Sequence, residues 1–116
     1  MKQDFSIGID IVKIARFENL SQAFLSRFFT EYEREYIAAK GAESAAGMFA
    51  AKEAVVKALG TGFRGVSPAD VEIRHKKSGQ PYIVLRKNRG SLRKRKIRIS
   101  ISHSDTDAVA VAVVAG

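Results

Sequence analysis

The sequence contains no cysteine. That single absence excludes disulfides, thiolate catalysis and cysteine-based zinc sites, and it suits a reducing cytoplasm. With only two histidines, a zinc or other soft-metal site has few ligands to draw on. Long apolar runs are missing too: the longest, Ala108–Ala115, is far too short to span a bilayer. Near the N-terminus Lys2, Asp4 and Asp10 interrupt any apolar stretch, so no signal peptide is expected. Acids are scarce in the second half, where twelve Lys or Arg between Arg64 and Arg98 face only Asp70 and Glu72. A field of that sign draws in polyanions, whether nucleic acid, phosphorylated cofactors or an acidic protein. No internal repeat and no low-complexity linker divides the chain, although Arg93–Lys96 comes near one.

What is present fits one domain over residues 1–116, with 46% hydrophobic and 28% charged residues and a net charge of +8. A core of that size is modest, and self-association would supplement it. Phe5–Val12 alternates, with Ile7, Ile9 and Ile11 on one face and Gly8, Asp10 and Val12 on the other, which predicts a strand. A helix is expected from Ala15 to about Leu25, carrying Arg16 and Glu18. Thr30 followed by Glu33 forms a capping box for a second helix to about Lys40. Ser44 is read as the cap of a third helix ending at Leu59, with Met48, the stem of Lys52, Val55 and Leu59 buried and Gly60 stopping it. Val71–His75 and Pro81–Leu85 read as a hairpin across Ser78-Gly79-Gln80. After a basic connector, Lys96–Ser102 and Ala108–Ala115 alternate again; the alanine face of the latter would let a helix approach closely. The order β-ααα-ββ-ββ, with helices segregated from mostly antiparallel strands, is an α+β fold.

Three features stand out from that scaffold. Aspartate is depleted in strands, yet Asp10 sits mid-strand; it is either an edge or arginine-paired residue or a metal carboxylate on a rigid element. Glu53 and Lys57 are i and i+4 on the third helix, the spacing of an exposed ion pair. They also share one side of that helix with Phe49 and Gly60, which suits a ligand with anionic and apolar parts. Ser102-His103 closes a strand without the strained elbow of a nucleophilic serine, and a lone histidine such as His103 is more often structural, a cap or turn donor. His75 receives no role. Taken together, two carboxylates on separate rigid elements, nearby lysines and a positive field fit a Mg²⁺-dependent enzyme acting on a phosphorylated substrate.

The stretches GIDIVKIAR (Gly8–Arg16), TEYE (Thr30–Glu33), FAAKEAVVKALGTG (Phe49–Gly62), GQPY (Gly79–Tyr82) and ISISHS (Ile99–Ser104) occur in this order. Together they resemble the short bacterial holo-acyl-carrier-protein synthases, a branch of the 4′-phosphopantetheinyl transferases, over essentially the whole chain. The resemblance implies transfer of the phosphopantetheine arm of coenzyme A to a serine of an acidic apo-acyl carrier protein in fatty acid biosynthesis, releasing adenosine 3′,5′-bisphosphate. It implies Mg²⁺ held by Asp10 and Glu53, Lys57 against the phosphates, and Ser102, His103 and Gly60 at the nucleotide end. Arg16 would meet the carrier, and active sites would lie between the subunits of a cytoplasmic homotrimer. Where many relatives have an arginine that helps hold the coenzyme this chain has Met48, and Lys40 is the residue expected to supply part of that charge. Arg86–Arg98 is also more basic than in relatives. A nucleic-acid-binding module is the rival class, but no aromatic residues interleave with that run and no helix-turn-helix or zinc-finger signature appears. An inactive relative that only binds coenzyme A or carrier is the third reading; the presence of Asp10, Glu53 and Lys57 together argues against it.

Overall fold

The protein is described here by a computed structural model that covers residues 5–60, 65–86 and 95–116. Residues 61–64 and most of the basic segment, residues 87–94, lie outside the described residues. Strand β1 (Phe5–Lys13) leads through a 3₁₀ turn (Ile14–Phe17) into helices α1 (Gln22–Phe28), α2 (Glu31–Lys40) and α3 (Ala42–Leu59). A second 3₁₀ turn (Pro68–Asp70) precedes strands β2 (Val71–His75), β3 (Pro81–Leu85), β4 (Lys96–His103) and β5 (Asp107–Ala115). The strands form a three-stranded antiparallel sheet, β1-β5-β4, and a separate hairpin, β2-β3. The α+β order read from the sequence is the order found.

Local chemistry explains most boundaries. The Thr30–Glu33 capping box is complete: the Thr30 hydroxyl accepts the Glu33 N–H and the Glu33 carboxylate accepts the Thr30 N–H. The first expected helix is split instead of running from Ala15 to Leu25. Ser21 is extended and its hydroxyl accepts the Phe24 N–H, so a fresh helix starts there. Ser44 is not the cap of α3. Gly41 is, at φ 100°, where its carbonyl accepts Ser44 and Ala45 N–H groups while its own N–H closes α2 onto Ile37. That φ favours glycine, so one residue serves as the end of one helix and the start of the next.

Helix α3 lies on one face of the sheet, and small residues make that approach close. Ala108, Ala110 and Ala112 of β5 are buried beneath it, as are Ala50, Ala54 and Ala58 on the helix. At Gly8 of β1 a Cβ would stand 2.0 Å from the Ala54 carbonyl oxygen, so only glycine fits. The isoleucine face of β1 points the other way: Ile7, Ile9 and Ile11 are 60–67% exposed. They sit beside Val109, Val111 and Val113 of β5, leaving a broad apolar sheet face uncovered in the single chain.

Lys52 departs from the reading that only its stem is buried. It is wholly buried, and all three ammonium protons have acceptors: the Pro68 carbonyl at 2.6 Å, the Val71 carbonyl at 2.8 Å and Glu33 Oε1 at 2.9 Å. Glu33 Oε2 accepts the Ile73 N–H, and Glu72 accepts the Thr30 hydroxyl and bonds from Arg74 and Arg86. This network ties α2, α3 and the hairpin together. It was not legible as such because each member, seen alone in sequence, is an ordinary surface charge.

Candidate active site

Asp10 is placed by the same alternation that puts Gly8 under α3. Its side chain is 15% exposed and points to the helix face of the sheet, opposite the isoleucines. Lys57 reaches down from α3, donating to Asp10 Oδ1 at 3.0 Å and to the Ile9 carbonyl at 2.9 Å. The i,i+4 pair expected as the bland alternative does not form: among the described residues Lys57 pairs with Asp10 and Glu53 makes no ion pair. Asp10 Oδ2 is buried with no hydrogen-bond partner among the described residues. A buried carboxylate oxygen left without a donor is costly in a finished protein interior and marks a place for a ligand.

Glu53 stands one helical turn before Lys57. Burial pushes its carboxyl above the ordinary carboxylate range, the Asp10 charge pushes the same way, and Lys57 and Arg16 partly offset them. Two carboxylates that repel each other, one with an unsatisfied oxygen, form a donor set suited to a hard cation. Among the described residues no three His, Asp or Glu side chains converge, so Asp10 and Glu53 would hold such an ion with waters or substrate oxygens completing its shell. The residues present therefore fit Mg²⁺, and they do not fit zinc.

Arg16 borders this site from the 3₁₀ turn. Its guanidinium lies 5.5 Å from the Phe17 ring centroid and 5.7 Å from that of Phe49. Phe49 in turn packs on Phe28 at 4.7 Å, Phe17 at 5.2 Å and Phe24 at 6.3 Å. Phe49 thus anchors Arg16 and the phenylalanine cluster, and only its partly exposed side is available to a ligand. Gly60 ends α3 in the left-handed region at φ 78°, its N–H donating to the Val56 and Lys57 carbonyls. Among the described residues nothing lies within 4 Å of the position of its missing Cβ.

Ser102 and His103 lie elsewhere. Ser102 pairs with Val109 and occupies the outer sheet face, opposite Asp10. His103 ends β4, and its Nδ1 lies 3.1 Å from the Ser104 carbonyl oxygen, which can accept a hydrogen bond from it. Both line a shallow groove of about 390 Å³ with Ile11 and Val109. His103 also lines a cavity of about 240 Å³ with Met48 and Ser44. Gly60 is about 18 Å further along the α3 axis than Met48, at ~1.5 Å per residue. One chain therefore gathers Asp10, Arg16, Phe49, Glu53, Lys57 and Gly60 along one helix side, and leaves Lys40, Ser102 and His103 toward the other end. Lys40 is exposed at the end of α2, close enough to His75 to act on its charge. His75, given no role from sequence, lines the same 240 Å³ cavity as His103. The alternation Val71, Ile73, His75 on one face of β2 was the available signal.

Comparison with known proteins gives this geometry its context. Residues 6–114 match the 4′-phosphopantetheinyl transferase superfamily. A holo-[acyl-carrier-protein] synthase of Clostridium tetani is 46% identical over 96 residues, 78% of this chain and 75% of that protein. Its counterpart in Clostridium kluyveri is 45% identical over 87 residues, covering 71% of this chain and 65% of the relative's length. The chain is similar to the Bacillus anthracis holo-(acyl-carrier-protein) synthase in complex with CoA (3′,5′-ADP), with TM-score 0.82, 37% identity and 96% of each chain covered. It is likewise similar to the Helicobacter pylori enzyme in complex with coenzyme A, with TM-score 0.83, 38% identity and coverage of 94% and 99%. A shared fold over nearly the full length, with these identities, places this chain among the holo-acyl-carrier-protein synthases of the 4′-phosphopantetheinyl transferase superfamily.

Proposed function

We propose that the protein transfers the 4′-phosphopantetheine arm of coenzyme A to a serine of an apo-acyl carrier protein in fatty acid biosynthesis, with Mg²⁺ held by Asp10 and Glu53. The observation that carries this is the unsatisfied buried Asp10 Oδ2, set against Glu53 and braced by Lys57. The carrier's serine hydroxyl attacks the β-phosphate of coenzyme A; a new serine O–P bond forms, the bond to the nucleotide phosphate breaks, and adenosine 3′,5′-bisphosphate leaves. Lys57 supplies positive charge where the leaving phosphate gains negative charge. The serine proton passes to solvent by way of Asp10 or Glu53. When bound, Mg²⁺ would neutralise charge on the pyrophosphate. Arg16, exposed and steadied on two phenylalanines, faces the acidic carrier.

The same reading puts Lys40, Ser102 and His103 at the nucleotide end of coenzyme A, together with Gly60. Since one chain puts Gly60 about 18 Å along α3 from Met48, which lines the cavity with His103, a complete site is best supplied by two neighbouring chains. The uncovered face of Ile7, Ile9, Ile11 and Val113 is the kind of surface that a homotrimer buries. No described helix is long and apolar enough to cross a membrane, and the cysteine-free composition suits the cytoplasm.

The test is to incubate the protein with apo-acyl carrier protein, coenzyme A and Mg²⁺ and follow the carrier's intact mass. A phosphopantetheine-sized gain is expected, absent with EDTA and in Asp10→Ala. A gain that survives Asp10→Ala refutes the metal assignment, and no gain with any apo-carrier refutes the transferase.

A further inference from the structure

Helix α3 meets the sheet through small residues on both sides: Ala54 and Ala58 lie against Gly8 of β1, and Ala108, Ala110 and Ala112 of β5 are buried. Such a contact sets the spacing of helix and sheet. It has no long side chains to interlock there, so it resists sliding and rotation of the helix poorly. Both motions matter for the proposed site. Glu53 makes no ion pair among the described residues, so its carboxylate goes where the helix carries it. A side-chain carboxylate stands about 5–6 Å from the helix axis, and a rotation of about 10° therefore moves it by ~1 Å.

Lys52, the residue before Glu53, is fully buried and bonds to three separate segments of chain. Its ammonium donates to the Pro68 carbonyl at 2.6 Å, the Val71 carbonyl at 2.8 Å and Glu33 Oε1 at 2.9 Å. The acceptors are themselves held. Glu33 Oε1 also accepts the Thr30 N–H at 2.8 Å, and Oε2 accepts the Ile73 N–H at 2.7 Å. The Pro68–Asp70 turn is closed by the reciprocal caps of Ser67 and Asp70, and Val71 opens β2. Three short bonds from one atom to α2, the turn and β2 fix α3 both in rotation and along its axis. A buried ion pair is a costly way to fill a core, and an apolar side chain of similar length would stabilise as well without directional bonds. We infer that Lys52 is a positioning residue of the proposed transferase site, holding α3 at the setting that places Glu53 beside Asp10. This rests on the reading of Asp10 and Glu53 as the carboxylates that hold Mg²⁺. Lys52 acts through the helix and touches no reacting group.

The test separates placement of Glu53 from stability. Lys52→Met/Glu33→Gln removes the three bonds and leaves neither partner's charge buried alone, so its urea midpoint should lie near that of the wild type. Its site should still be impaired. Affinity for Mn²⁺, read from the free-ion electron paramagnetic resonance signal with coenzyme A present, should fall about 10-fold, since loss of a group that orients a metal ligand typically costs 10- to 100-fold. The kcat for carrier modification should fall by a similar factor, as expected for a shift of about 1 Å. Glu72→Gln disturbs a neighbouring buried carboxylate that does not bond Lys52; it should lower the urea midpoint and keep Mn²⁺ affinity and kcat near wild type. A stable double variant with wild-type Mn²⁺ affinity and kcat overturns the role assigned to Lys52. So does a Glu72→Gln protein that loses both as it loses stability. A double variant that no longer folds assigns Lys52 to the fold and not to the site, and overturns the role as well. If the wild type binds Mn²⁺ and modifies the carrier, these failures fall on the inference alone. A wild type that does neither overturns the site reading too.

Discussion

Replacing Gly8 by alanine tests how the fold sets the active site. The added Cβ would sit 2.0 Å from the Ala54 carbonyl oxygen and 2.8 Å from the Ala58 nitrogen. Both are backbone atoms of α3, so no side-chain rotation relieves the clash. Restoring an ordinary 3.4 Å contact from 2.0 Å requires β1 and α3 to part by about 1.4 Å. Overpacking of this kind costs about 1–3 kcal/mol. The larger effect falls on activity, because Asp10 is on β1 and Glu53 and Lys57 are on α3. A displacement of about 1 Å in a positioned catalytic group costs roughly 100-fold. Gly8→Ala should therefore lower kcat/KM for carrier modification about 100-fold while circular dichroism still reports a folded protein. Val71→Ala, a buried truncation in the hairpin away from Asp10, should lower stability yet keep most of the activity. Near-normal activity in Gly8→Ala, or an equal loss in Val71→Ala, would refute the argument that helix–strand spacing positions the carboxylates.

Three further outcomes are expected. Lys52→Met strands the buried Glu33 carboxylate and should cost about 3–5 kcal/mol in urea unfolding at fixed protein concentration. Most of that should return in Lys52→Met/Glu33→Gln, and a double variant no better than the single one would sink the ion-pair account. Burial alone would raise the Glu72 carboxyl, but the Thr30 hydroxyl, Arg74 and Arg86 more than offset it and hold it below 4.5. A depressed carboxylate contributes stability that is complete above the unfolded value and lost as pH falls through the lower folded one. Urea midpoints of the wild type should thus decline below about pH 4.5, with a shallower decline in Glu72→Gln. Ile9→Lys, on the uncovered sheet face, should dissociate the proposed homotrimer in analytical ultracentrifugation; an unchanged sedimentation mass would show that this face is not the interface.

Much of the fold was readable because its signals are local. Thr30 and Glu33 cap one another within a single turn, Gly60 takes a left-handed φ, and Gly79 at φ 94° closes a hairpin whose two strands have the expected bounds. The split of the first helix at Ser21 was missed because a serine inside a helical pattern is ambiguous until its hydroxyl finds a backbone N–H. Asp10, Glu53 and Lys57 were suspect as residue types out of place, yet spacing favoured a Glu53–Lys57 pair. Lys57 instead crosses to Asp10 on β1, a contact between residues far apart in sequence.

The sequence by itself determined the order of elements, the absence of thiol chemistry, and the residue types that could hold a hard cation, since these follow from composition and short-range periodicity. Tertiary structure decided which face of β1 is inward. Alternation offers an isoleucine face and a face of Gly8, Asp10 and Val12, and hydrophobicity alone would bury the isoleucines. The close-packed alanines of α3 accept only the flatter face, so Gly8 goes under the helix and carries Asp10 with it to Lys57. The same packing buries Lys52 among backbone carbonyls, brings His75 and His103 to one cavity, and leaves the isoleucines exposed. None of these outcomes is encoded in a local pattern, because each depends on which surfaces meet at close range.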